Sequence, residues 1–133
     1  RWGKSPQAES EGFMAGTATY TERDYGTVKL LKCAWVSDAS GDVSGTASSI
    51  VYDGKLLAVT TDPSATAPTD DYDVTVLDDN SMDVLLGAGS DRDTANTEYL
   101  LEANLGAVAK SKLTVTVANA GNAKEGTVYI WIR

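Results

Sequence analysis

Two alternating runs near the end of the chain, Lys112-Leu-Thr-Val-Thr-Val-Ala118 and Gly126-Thr-Val-Tyr-Ile-Trp-Ile-Arg133, constrain this sequence more than anything else in it. Side chains on a strand point to opposite faces in turn, so Leu113, Val115 and Val117 share one side, as do Val128, Ile130 and Ile132. The turn-rich segment between the runs predicts a closing hairpin whose apolar side other structure must cover. Regular pairing would set Thr114 across from Trp131 and Thr116 across from Tyr129, leaving two large aromatics on the side facing away from the core. That arrangement suggests a surface that meets something. The competing expectation is that Tyr129 and Trp131 pack between sheets as part of the domain's own core.

The rest of the chain follows the same pattern. From Phe13 onward Thr, Val, Ala, Ser and Tyr dominate, with Gly and Asp at short intervals and few helical periodicities. Extended segments are expected at Gly16–Thr21 and Thr27–Ser37. In the second of these the alternation slips between Val28/Leu30 and Leu31/Cys33/Trp35, which a bulge near Leu30–Leu31 or burial of both faces would reconcile. Ser48–Tyr52 and Lys55–Thr61 flank Asp53-Gly54, a strong hairpin signal because a type I′ turn needs positive φ at both central residues. Asp62–Asp70 contains Pro63 and Pro68 and suits a crossing between sheets. Tyr72, Val74 and Val76 mark a half-buried strand, Met82–Leu86 another, and Gly87–Thr97 the longest loop. Glu98–Ala103 reads equally as a short helix or an edge strand, and Gly106–Ala109 as extended. The expectation is one all-β domain over residues 13–133, a β-sandwich or jelly roll of about eight strands, preceded by an extended arm over residues 1–12.

Composition removes much of ordinary enzymology. A chain of 133 residues can bury roughly two-thirds of its unfolded surface without metals or disulfides. It has no histidine, which excludes Ser–His and Cys–His catalytic sets and the usual zinc, copper and non-haem iron ligand sets. Its one cysteine, Cys33, reads as a buried strand residue. The net charge of −8 argues against nucleic acid and anionic lipid as partners. No apolar run approaches membrane-spanning length, and no basic start followed by an apolar stretch reads as a signal peptide. Gly87-Ala-Gly89 lacks the rest of a dinucleotide fingerprint, and no phosphate loop exists.

Asp78–Asp83 and Ser90–Glu98 are acidic enough to suggest calcium, but Met82 and Asp83 break the EF-hand pattern, and carboxylates closing turns on their own backbone are the simpler reading. No pair among the 19 acidic residues stands out for glycoside hydrolysis. No catalytic, cofactor or metal residue is therefore assigned, and no enzyme is expected. Five residues are candidates for partner binding: Arg1, Trp2 and Lys4 in the arm, and Tyr129 and Trp131 in the last strand. A Trp or Tyr face also stacks on sugars, so Tyr129, Trp131 or Trp35 could serve a carbohydrate.

The phrases Trp35-Val-Ser-Asp-Ala-Ser-Gly-Asp-Val-Ser-Gly45, Asp62–Val76, Asp83-Val-Leu85 with Arg92-Asp-Thr94, and Leu113-Thr-Val-Thr-Val-Ala-Asn-Ala-Gly121 resemble small structural proteins of tailed bacteriophages. Within that class a β-rich chain of this size is most similar in kind to capsid cement or decoration proteins. The resemblance implies a virion component made in the host bacterial cytoplasm and placed on the capsid surface, binding the major capsid protein and copies of itself, often as trimers. It equally admits a tail or fibre module that binds a host-surface glycan, or a head-tail connector or tail component.

Overall fold

The computed structural model describes residues 15–133. The arm over residues 1–12, with Arg1, Trp2 and Lys4, lies outside the described residues. Nine strands follow: β1 (Thr17–Asp24), β2 (Lys29–Val36), β3 (Val43–Ala47), β4 (Tyr52–Pro63), β5 (Asp73–Leu77), β6 (Glu98–Leu101), β7 (Ala107–Ser111), β8 (Thr114–Ala118) and β9 (Glu125–Ile132), with one 3-10 turn at Glu102–Asn104. They form two antiparallel sheets packed as a β-sandwich, as the alternation predicts. The larger sheet runs β1-β2-β9-β4-β6, with β7 also paired to β4, and the smaller runs β3-β8-β5.

Leu31, Cys33 and Trp35 from β2, Val128, Ile130 and Ile132 from β9, and Leu56 and Val59 from β4 line the inner side of the larger sheet. Val43, Val115, Val117, Val74 and Val76 meet them from the smaller sheet. Burying the Val, Leu and Ile side chains among them contributes roughly 1.5–3 kcal/mol each, which is what holds the layers together. Trp35 and Tyr72 form a tilted ring pair in the core, with centroids 5.7 Å apart.

The closing hairpin does not form. β8 pairs with β3 and β5 in the smaller sheet, whereas β9 pairs with β2 and β4 in the larger. Thr116 lies beside Thr75 and Ser44, and Tyr129 beside Lys32 and Thr60. The linking segment changes direction at Asn119, Gly121 and Ala123, all with positive φ, and carries the chain from one layer to the other. The two apolar sides expected to share one hairpin face each other across the interior, where each covers the other.

Asp53-Gly54 is not a turn either. Both residues lie inside β4, where the register against β7 shifts between Tyr52 and Gly54. Gly54 has φ +128°, and a Cβ there would collide with the carbonyl oxygen of Arg133. A glycine with positive φ serves a bulge and a close backbone approach as well as it serves a turn. Of the expected Ser48–Tyr52 strand, only Tyr52 is in a strand. Its approach is held by Glu22 on β1, whose carboxylate accepts from Ser49 N (3.0 Å), Ile50 N (3.0 Å) and the Tyr52 hydroxyl (2.9 Å).

No bulge occurs at Leu30–Leu31, for β2 is in unbroken register with β1 and β9. Leu30 is half-buried on the outer face instead. The bulge against β9 falls between Leu56 and Ala58, so Leu56 and Val59 both reach the core. Met82–Leu86 is a chain of turns, with Val84 and Leu85 buried and Met82 and Leu86 exposed. Glu98–Leu101 resolves as an edge strand. Of the expected Asp62–Asp70 connection, Asp62 and Pro63 end β4, and the chain crosses from the larger sheet to the smaller after them, before β5 begins at Asp73.

Candidate functional site

The register of the larger sheet determines what its outer face shows, because directly paired residues share a face. One row across that face is Arg23, Leu30, Trp131, Ala58 and Leu101. The next is Thr21, Lys32, Tyr129, Thr60 and Tyr99. Tyr129 and Trp131 therefore lie outside the core, near the middle of the sheet, each half-buried by its neighbours. Their rings stack at 14° with centroids 5.8 Å apart. The Lys32 ammonium sits 5.6 Å from the Tyr129 ring centroid, within cation–π range. Beside them on β6, Tyr99 is 69 % exposed and Leu101 64 % exposed.

Two properties set this face apart. It is rigid, because Trp131 and Tyr129 stand on a strand bonded on both sides. Its two rows carry two cations, Arg23 and Lys32, and no carboxylate, on a chain whose net charge is −8. The outer face of the smaller sheet is different in kind: Ser44, Thr116 and Thr75 form one row, with the two threonine hydroxyls bonded to each other.

Of the candidates read from sequence, Tyr129 and Trp131 come together here, whereas Trp35 is 1 % exposed on the inner face and has no surface to offer a sugar. Tyr99 and Leu101 were missed. Their signal was the alternation within Glu98-Tyr-Leu-Leu101, which becomes readable once Leu100 is taken as the inward residue.

The acidic segments turn their oxygens onto their own backbone. Asp78 accepts from Asn80 N and Met82 N at 2.9 and 3.0 Å. Asp83 accepts from Val76, Leu85 and Gly87 N at 3.1, 3.0 and 3.0 Å. Asp93 accepts from Ala95 N and Asn96 Nδ2, bonds that hold its carboxyl below the ordinary range. Glu98 takes Asp93 N and pairs with Arg92 at 3.3 Å. Among the described residues no group of three or more Cys, Asp or Glu is placed to hold a metal ion. An open groove of about 500 Å³ lies between this loop and Gly106–Ala107, lined in part by Met82, Val84 and Leu86. No helix among the described residues is long and apolar enough to cross a membrane.

Comparison of the chain with family models, curated proteins and solved structures finds no match.

Proposed function

We propose that this chain is a non-enzymatic structural protein of a tailed bacteriophage virion, which binds the outside of the capsid and stabilises its lattice through the outer face of the larger sheet. The observation that carries the binding role is the cluster of Trp131, Tyr129, Tyr99 and Leu101 on one rigid face, flanked by Arg23 and Lys32. Trp, Tyr and Arg dominate protein interfaces because they bury much area for little lost conformational freedom. Arg1, Trp2 and Lys4 are proposed, on sequence alone, as a second point of attachment that adds avidity.

The virion assignment rests on the resemblance of the turn and strand phrases to phage structural proteins. A tail module that stacks on a host glycan is the alternative. Against it, Tyr129 and Trp131 spend ring area on each other, area that a sugar platform would present to its ligand. Counting copies in purified particles by quantitative mass spectrometry tests the reading. Hundreds of copies per particle, on the head, are expected of a protein that covers a lattice. A handful of copies confined to the neck or tail overturns it.

A further inference from the structure

The larger sheet ends on one side at β1, an eight-residue strand that pairs with β2 over its whole length, from Thr17↔Val36 to Asp24↔Lys29. Edge strands are commonly blunted by proline, a bulge, charges or brevity. Thr17–Thr21 has none of these devices, and the charges Glu22, Arg23 and Asp24 are confined to the far end. Among the described residues no backbone hydrogen bond reaches the outer edge of β1; the one further backbone bond nearby closes the Tyr25–Val28 turn. Alternate N–H and C=O groups along this edge thus point outward in a row, a template for an extended strand.

We propose that β1 pairs antiparallel with β1 of a second copy of this chain, forming a two-fold dimer with one continuous sheet. A two-fold axis perpendicular to the sheet keeps each face on its own side, so facing residues must share parity, and the charges then choose the register. Centring on Glu22 or Arg23 would set like charges directly opposite each other, which is destabilising. Centring on Tyr20 sets Thr19 opposite the partner subunit's Thr21, and Thr21 opposite the partner subunit's Thr19, on the outer face. It also sets Thr17 opposite the partner subunit's Arg23 and Ala18 opposite the partner subunit's Glu22, and leaves Asp24 solvated with its existing bond to Gly26 N (2.8 Å). Tyr20 need not move: its hydroxyl donates to Thr46 O (2.5 Å) and accepts from Val115 N (2.9 Å) inside its own sandwich.

Such a dimer carries both aromatic faces on one side. With strands about 4.8 Å apart and β9 the third strand from the axis, the two Tyr129–Trp131 pairs stand about 24 Å apart across the strands and about 13 Å apart along them. Two spaced copies of one binding face give avidity toward any repetitive surface. The pairing does not depend on the capsid reading and fails or stands without it.

Sedimentation equilibrium of the full chain, with the parent and two double variants, tests the pairing. Thr19 and Thr21 are exposed, so the variants fold, and thermal melting checks that they do. Thr19→Lys with Thr21→Lys sets like charges opposite each other twice, and raises the dimer dissociation constant about tenfold or more. Thr19→Lys with Thr21→Glu sets opposite charges there and restores the parent constant to within about threefold. A parent chain that stays monomeric at millimolar concentration overturns the proposal, as does a dimer indifferent to the two lysines. Equal weakening in both variants also overturns it, because the register would then differ. A chain that dimerises only after residues 1–14 are removed overturns it too, since its own N-terminal segment would then cover the edge.

Discussion

Gly126 on β9 packs directly under Trp35, and through it the closing strand is coupled to the opposite sheet. A Cβ at this position would stand 2.6 Å from Trp35 Cζ2 and 2.9 Å from Cε2. Those are atoms of a rigid ring that is 1 % exposed and that meets the ring of Tyr72, the residue just before β5 of the smaller sheet, at a tilt. Gly126→Ala therefore forces Trp35 to shift and disturbs the inter-sheet pair. Overpacking of a filled core costs about 1–3 kcal/mol, and contact with three indole atoms puts this case in the upper half. Removing a glycine from a strand returns about 0.5–1 kcal/mol, leaving a net loss of about 2 kcal/mol. At about 2.1 cal/mol/K of unfolding entropy per residue, the 133-residue chain changes by about 0.28 kcal/mol per degree, so Tm falls by about 7 °C. The assay is thermal unfolding followed by circular dichroism, in a double-mutant cycle with Trp35→Phe. The smaller ring vacates the colliding positions, so in that background Gly126→Ala stabilises by the glycine return alone, about 0.5–1 kcal/mol, and the coupling energy is the overpacking cost of about 2–3 kcal/mol. A coupling below about 0.5 kcal/mol refutes the packing argument.

Two further perturbations probe the interior and its edge. Burial pushes the Cys33 thiol and the Tyr20 and Tyr72 hydroxyls up to about 12, from ordinary values of 9.0, 10.0 and 10.0. The folded chain thus keeps protons that the unfolded chain releases first, so their stabilisation is complete below about pH 9 and is lost as pH rises toward 12; a urea midpoint that stays flat from pH 8 to 11 contradicts this. Glu22→Gln sets an amide NH₂ against an N–H of Ser49 or Ile50 and lowers stability by about 1.5–2 kcal/mol, read as a shift in the urea midpoint, and an unchanged midpoint shows that the carboxylate does not hold the approach to β4.

Alternation made the faces legible. Val74 and Val76, Val115 and Val117, and Val128, Ile130 and Ile132 all point inward as their spacing says, and Tyr129 and Trp131 point outward. Strand neighbours were not legible, because alternation specifies which residues share a face and is silent on which strand lies alongside. β8 and β9 are consecutive in sequence yet lie in different sheets for that reason. Asp53-Gly54 misleads because positive φ serves a bulge as well as a turn. In Met82–Leu86 the buried Val84 and Leu85 pack beside β5, where Val84 N bonds Val76 O, while Asp83 binds three backbone N–H groups, so apolar content there does not mean a strand. Half of the candidate face could be read from the last eight residues. The other half, Tyr99 and Leu101, sits on a four-residue strand whose alternation is too brief to separate it from the short helix that the segment also fits.

Co-sedimentation of the purified chain with phage heads lacking it tests whether the outer face of the larger sheet grips a capsid partner, as proposed. Trp131→Ala with Tyr99→Ala removes exposed aromatic area and leaves the core intact. It lowers head occupancy at least tenfold, since an aromatic anchor at an interface contributes about 2 kcal/mol or more. Thr116→Lys on the smaller sheet leaves occupancy unchanged. Full occupancy of the aromatic double variant, or its loss on Thr116→Lys alone, contradicts the account.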